Sequence, residues 1–359
     1  MHFNQRESRR AFLKSGIGVG IGWLAAAGVD PFIRRSRALA AQPDRTRVAL
    51  MSGDDRTDNL FRALQVFRQE IAQAIGSRRV IIKPNNVSVD VQLSATHADA
   101  LVGILEFLKS IGKLEGTLIA ESAGTGPTPE GFSNFGYYQV ADKYGVKLVD
   151  LDEAETETLY VFDERDMQPH AMRVARLLLN HKDFYLISAA VLKTHDRVVA
   201  TLSLKNIVFG APVKDLGFRW GPKRKPGTTT QKPIAHGSGI YGINYNLFAL
   251  AEKLHPDLAV IDGFAGMEGN GPVGGTPVDH RVCVVSPDWL AADRVAVELM
   301  GIDFAKVGYL NYCARAGLGQ ADLAQMEILG EPIDRHRRQY RLHSNVENQL
   351  RWLQPPSWS

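Results

Sequence analysis

Cysteine is scarce: two occur in 359 residues, Cys283 in the apolar run RVCVVS and Cys313 in VGYLNYCARAG. An iron–sulfur cluster normally takes four thiolate ligands, so this chain cannot hold one alone. Two buried free thiols are the expectation, since free cysteine packs as a small hydrophobe, with a disulfide in an oxidising compartment as the alternative. Internal repeats, heptads and low-complexity tracts are absent. Also missing are the Gly-Lys-Ser/Thr of a P-loop, the dinucleotide G-x-G-x-x-G, His-Glu-x-x-His and the EF-hand loop. No two histidines stand three or four residues apart as in a zinc site.

A basic excess is lacking too, once the amino terminus is set aside. The formal charge is +3, but residues 1–40 hold seven of the 42 Lys+Arg and two of the 39 Asp+Glu, which leaves 35 against 37, a net −2. A general nucleic-acid or membrane-surface binder needs the opposite balance. Those first residues place Arg9 and Arg10 in SRRAFLKSG, then the weakly apolar IGVGIGWLAAAGV and the small-residue segment RALAA. This layout is that of a secretory signal, and Ser-Arg-Arg-x-Phe-Leu-Lys resembles the twin-arginine signal. Arg34, Arg35 and Arg37 discourage the general secretory route. The expectation is a signal over 1–40, cleaved before Ala41, handled by the twin-arginine translocase, with a periplasmic destination and no stable membrane span afterwards.

With 45% hydrophobic and 23% charged residues the remainder has globular composition. Short apolar runs end in polar or glycine-rich residues and alternate with segments of helical period. Strands are predicted at 47–51, 78–83, 116–121, 146–151, 183–188, 257–262 and 281–286. Helices are predicted in NLFRALQVFRQEI, ADALVGILEFLKSIG, GYYQVADKYG, NYNLFALAEKL and WLAADRVAVELMG. The alternating ETETLYVFDE and AMRVARLLL read as a β-rich insertion. The fold class is α/β: a mixed, mainly parallel open sheet with helices on both faces, in one domain over 41–330. Residues 211–239, rich in Gly, Pro, Lys and Arg, form a long loop or lid. The segment 331–359 is a polar tail.

Ligands of open α/β sheets bind beyond the carboxyl ends of the strands, and four such exits carry unusual groups. The first is Lys83-Pro84-Asn85-Asn86, either a turn or a ligand site; an ammonium there loses hydration unless a ligand anion or a structural carboxylate meets it. The second is ESAGTGPTPEG, 121–131, a tight turn or a backbone anion cradle. The third is Lys193-Thr194-His195. The fourth, DGFAGMEGNGPVGG, offers Asp262 and Glu268 as hard oxygen ligands for a divalent cation, with Asn270 beside them. In LKTHDRVVATLSLKN, 192–206, a helix beginning near Asp196 or Arg197 puts Thr201 and Lys205 on one face, with Lys193 and His195 at its entrance. Lysines so close repel one another. Either an anion lies between them, or one is pushed toward neutrality and serves as base or nucleophile.

From VIIKPNN through LKTHDRVVATLSLKN and HGSGIYGINYNLFALAEKLHPDLAVIDGFAGMEGNGPVGG to DWLAADRVAVELMGI, the sequence resembles the family called domain of unknown function 362, often joined to ferredoxin modules. The resemblance implies an α/β domain and places Lys83, Asn85, Lys193, His195, Lys205, Asn206, His236, Asn244, Asp262, Glu268, Asn270 and Asp293 at shared positions. It implies no settled reaction. The cysteine-rich ferredoxin segment of many relatives is missing, so electron transfer would need a separate redox protein. The combined expectation is an exported enzyme for a small anionic substrate. Lys193, His195, Lys205 and His236 are its candidate catalytic groups; Lys83, Asn85, Asn86, Thr201, Asn206, Asn244 and Asn270 are its candidate binding groups; Asp262 and Glu268 are candidate metal ligands. The alternative is a noncatalytic protein that captures a metal, cofactor or anion for a redox system.

Overall fold

The structure is a computed structural model that describes residues 45–355. The export segment expected over residues 1–40 lies outside the described residues. Among the described residues there are eleven strands: β1 (Thr46–Ser52), β2 (Arg79–Lys83), β3 (Leu118–Glu121), β4 (Lys147–Asp150), β5 (Thr156–Asp163), β6 (Gln168–Ala175), β7 (Phe184–His195), β8 (Val199–Thr201), β9 (Leu258–Glu268), β10 (Thr276–Ser286) and β11 (Met326–Gly330). Nine of them build one sheet in the order β11-β1-β10-β9-β7-β2-β3-β4, with β8 folded back on β7. The run β9-β7-β2-β3-β4 is parallel throughout, and β10 lies antiparallel to both neighbours. Strands β5 and β6 pair separately as the expected insertion.

Alternation along the buried strands sorts side chains to two faces. On β2, Val80 and Ile82 join a cluster with α1 (Arg56–Gln65), α2 (Arg68–Ile75), α3 (Ala98–Ser110) and α5 (Tyr137–Tyr144), the short α4 (Thr128–Asn134) preceding the last of these. Ile81 joins the other cluster, with α6 (Ser203–Val208), α8 (Gly239–Ala251), α9 (Trp289–Leu299) and α10 (Gly308–Arg315). Helices therefore cover both faces. Cys283 belongs to the first cluster and Cys313 to the second; both are free and buried, and the sheet stands between them.

Three details differ from the sequence reading. The first predicted helix is broken, because Phe67 donates its N–H to Leu64 O at 3.0 Å and α2 starts afresh at Arg68. Strand β7 runs on through His195, so no helix begins at Asp196; a turn over 196–198 leads into β8, and α6 starts only at Ser203. Strand β9 continues past Asp262 to Glu268, paired with β10 over most of that length.

Topology fixes where a ligand can enter. The chain leaves β2 for β3 and β4 on one side, returns through the β5–β6 insertion to β7 against the other side of β2, and proceeds away to β9. Connections diverge between β2 and β7, and a crevice opens outside the strand ends where they do.

Candidate functional site

At that crevice lies a cavity of about 70 Å³. It is bounded by the ends of β2 and β3, by Thr201 of β8, by α6 with Phe209 and Gly210, and by Lys232 and His236 of the short helix α7 (Lys232–His236). Its scale suits a ligand of a few heavy atoms rather than a drug-sized molecule.

Asn206 organises the floor. Its Nδ2 donates to Lys83 O and to Ser188 Oγ, each at 3.1 Å, and its Oδ1 accepts from Asn85 Nδ2 at 3.0 Å and Lys83 Nζ at 3.3 Å. The partners come from the end of β2, the turn after it and Ser188 within β7, so the amide ties α6 to β2 and β7 and uses its donors and acceptors fully. Gly210 is required beside it: a Cβ there would lie 2.2 Å from Lys83 Cε and 2.2 Å from Asn206 O.

Five lysines converge on this crevice, Lys83, Lys193, Lys205, Lys214 and Lys232, each between 0% and 8% exposed. Lys83 Nζ donates to Glu121 Oε1 at 2.8 Å and to Pro84 O at 2.9 Å. Glu121 is itself held by the backbone N–H groups of Asn86 and Ser122. Lys193 Nζ donates to Ser94 O at 2.7 Å and to Asn85 Oδ1. Lys214 pairs with Asp152 and donates to Thr128 Oγ1 at 3.1 Å, while Lys232 Nζ donates to Pro212 O at 2.9 Å. Lys205 Nζ has no hydrogen-bond or ion-pair partner among the described residues and lies 5.4 Å from the centroid of the Phe209 ring. Thus, among the described residues, carboxylates pair directly with two of the five lysines, Glu121 with Lys83 and Asp152 with Lys214.

Burial without enough counter-charge shifts these groups. Burial lowers Lys232 to about 7, assisted by Lys214 and opposed by Asp152 and Glu121. Burial lowers Lys205 to about 8, with Asp196 opposing. Lys193 falls well below the usual lysine range through burial and then Lys205. For Lys83, burial lowers the pKa and Glu121 resists. Burial and then Lys205 hold His195 and His236 neutral, their pKa values well below the usual imidazole value. Asp152 has its burial cost outweighed by Lys214 and Lys232, which keep it ionised. The tautomer of His236 follows from geometry. Its Nδ1 stands 2.9 Å from Lys232 O, which can only accept, so the proton sits on Nδ1 and Nε2 carries the lone pair. His195 lies behind it, ring centroids 6.3 Å apart, with Nδ1 3.0 Å from the Arg197 N–H.

Of the residues singled out from the sequence, Lys83, Asn85, Asn86, Thr201, Lys205, Asn206 and His236 line the cavity, and Lys193 and His195 stand immediately behind it. Thr201 reaches it from β8 rather than from a helix shared with Lys205. Four residues go elsewhere. Asn244 joins α8 to α10, accepting from Tyr309 N at 2.9 Å. Asn270 accepts from Ser344 N at 3.1 Å. Asp262 faces Arg56, 3.1 Å away, and Glu268 faces Arg341 at 3.5 Å. Among the described residues no three His, Cys, Asp or Glu gather as a metal-holding group. Asp293 accepts the N–H groups of Ser203 and Leu204 at the start of α6, and burial raises it to about 7.

Sequence reasoning missed Glu121, Asp152, Lys214 and Lys232 as members of the site. The lysines lie near the two ends of the long loop, which dock through Val213 N to Arg173 O at 3.2 Å and Gln231 N to Val213 O at 2.9 Å; residues 221–227 between them are exposed. A basic loop with so many Gly and Pro was the one available signal.

Fold and site together define an α/β protein with a lysine-lined crevice at the switch point of a mainly parallel sheet. The chain belongs to the family described as Domain of unknown function (DUF362), whose pattern matches residues 80–298 and so takes in β2, α6, α7 and Asp293. It is also similar, at 27% identity over 133 residues, to a thylakoid-associated protein of Synechocystis sp.. The similar segment spans 37% of this chain and 37% of that protein.

Proposed function

We propose that the chain is an enzyme that holds a small anion in this cavity, with Lys205 and Lys232 offsetting its charge and His236 Nε2 taking up and returning a proton. The observation that supports the reading most is the charge imbalance. Burying an ammonium group is costly unless an anion meets it, and Lys205 and Lys232 have no carboxylate on their Nζ. Thr201 Oγ1 and Asn86 Nδ2 are buried polar atoms without partners, and both residues line the cavity. Such atoms call for an explanation, and a ligand that accepts or donates hydrogen bonds supplies one for Thr201.

The test is calorimetric titration with oxalate, a small dianion, against wild type, Lys205→Met and Lys232→Met. A charge-assisted hydrogen bond contributes ~1.5–3 kcal/mol, so each variant should bind roughly 10–100-fold more weakly. Equal affinities in all three proteins would remove the reading. A noncatalytic capture protein would bind its native anion equally well and leave it chemically unchanged after prolonged incubation.

We infer in addition that the protein is exported through the twin-arginine translocase. A reporter fused to residues 1–40 should leave the cytoplasm, and an Arg9→Lys/Arg10→Lys pair should retain it; export of the double variant would contradict this.

A further inference from the structure

We infer that Lys205 Nζ forms an imine with a small 2-oxo acid whose carboxylate is held by the ammonium group of Lys232. This rests on the anion-binding reading above and names the substrate class within it.

The five amines are not equivalent. Lys83 and Lys214 are committed to carboxylates, and Lys193 donates to a backbone carbonyl and to Asn85. Lys232 donates to Pro212 O, which fixes it at the cavity wall. Lys205 alone among the five has no acceptor on its Nζ, and an apolar ring is its neighbour. A lysine nucleophile is activated when burial desolvates its amine, and burial does so at Lys205, with Asp196 opposing. With burial bringing Lys205 to about 8, roughly a tenth is the free amine at pH 7.

The rest of the cavity matches the steps of imine formation. The neutral amine attacks the keto carbon, a C–N bond forms and the carbonyl electron pair moves to oxygen, which takes a proton. The unpartnered Thr201 hydroxyl is a donor available to that oxygen. The nitrogen of the adduct then loses a proton, for which His236 Nε2 is the nearby base. The hydroxyl is protonated and departs as water while the nitrogen lone pair forms C=N. Amine, ketone and one proton give an iminium ion and water, with no oxidant or reductant. Lys232, whose Nζ donates only to Pro212 O, faces the same space and suits the carboxylate. A cavity of about 70 Å³ limits the acid to a few carbons.

The experiment incubates the full chain with pyruvate or glyoxylate and sodium cyanoborohydride, then maps adducts by peptide mass spectrometry. Lactate, which has no carbonyl, is titrated in parallel by calorimetry. The expected result is one reduced adduct on Lys205, at least tenfold above any on the exposed Lys223 and Lys225, and none at position 205 in Lys205→Arg. Adduct on Lys232 instead, or an adduct on Lys205 no greater than on the exposed lysines, overturns the proposal. If lactate binds the wild type and no Lys205 adduct forms, the imine fails and the anion site stands. If neither lactate nor pyruvate binds, both readings fail together.

Discussion

Lys83 and Glu121 meet at 2.8 Å at the ends of adjacent parallel strands, each side chain no more than 2% exposed. The pair explains how a lysine can terminate a core strand. Attraction in the interior offsets desolvation only when geometry is good and the remaining lone pairs are satisfied. Glu121 meets this condition through the N–H groups of Asn86 and Ser122. The pair thereby joins two strand ends and sets one wall of the cavity, while the less compensated amines, Lys205 and Lys232, are left to respond to a ligand.

Glu121→Ala should leave Lys83 buried and uncompensated. The expected loss is about 3–5 kcal/mol of unfolding free energy, read by urea denaturation. A Lys83→Met/Glu121→Leu double variant should recover most of it, because two apolar groups need no partners. If Glu121→Ala costs less than about 1 kcal/mol, the pair has no structural role of the kind described.

Gly210→Ala should disturb the same wall. Its new Cβ would fall within 2.2 Å of Lys83 Cε and of a backbone oxygen, that of Asn206, which has little room to yield. Overpacking of this kind costs about 1–3 kcal/mol. Because it displaces Lys83, oxalate affinity should fall as well. An unchanged melting temperature together with unchanged affinity would show that the close approach is not present in solution.

The ligand-free protein should become more stable as pH rises above neutrality. Lys232 and Lys205 titrate at about 7 and about 8 in the folded chain, whereas an unfolded lysine titrates at about 10.4. Between those values the unfolded state holds more protons, so unfolding free energy increases with pH and levels off once the unfolded lysines deprotonate. Thermal melts from pH 7 to pH 10 should show this contribution as the difference between wild type and the Lys205→Met/Lys232→Met variant, whose curve should rise less. Parallel curves would contradict it.

The carboxyl-terminal segment supports the site from behind. Gln349 accepts from Val199 N at 2.6 Å and donates to His195 O at 3.0 Å, while Val199 holds φ at +68°. A β-branched residue in that region is strained and persists only where its surroundings impose it. Gln349→Ala should cost about 1–3 kcal/mol and increase amide hydrogen exchange over 195–201. Exchange changes confined to the tail would argue against this support.

Several parts of the fold and site were legible in the sequence for a physical reason. Lys83, Asn85 and Lys193 follow apolar runs that end in polar residues, and the strand-exit rule places such ends together. Lys205 and Asn206 were drawn in by residue density, through a helix assigned to the wrong start, and by the family resemblance of LKTHDRVVATLSLKN. The glycine-rich turn misled because nothing in DGFAGMEGNG marks β9 as continuing past Asp262 to Glu268 in a ladder with β10. That continuation carries Glu268 and Asn270 to the tail, where Arg341 and Ser344 meet them. Lys214 and Lys232 were hidden because loop composition does not say which lysines turn inward. The partner of Lys214, Asp152, lies 62 residues away.

The account stands on buried amines that become fully charged when an anion arrives. Oxalate is fully ionised from pH 6 to pH 9, so its affinity reports the protonation of the protein alone. Calorimetry across that range should show the dissociation constant weakening by at least tenfold as pH passes through 7 and 8, and the dependence should shrink in Lys205→Met. An affinity that is flat with pH, or the absence of heat at every pH, would contradict the claim that this cavity binds anions through its lysines.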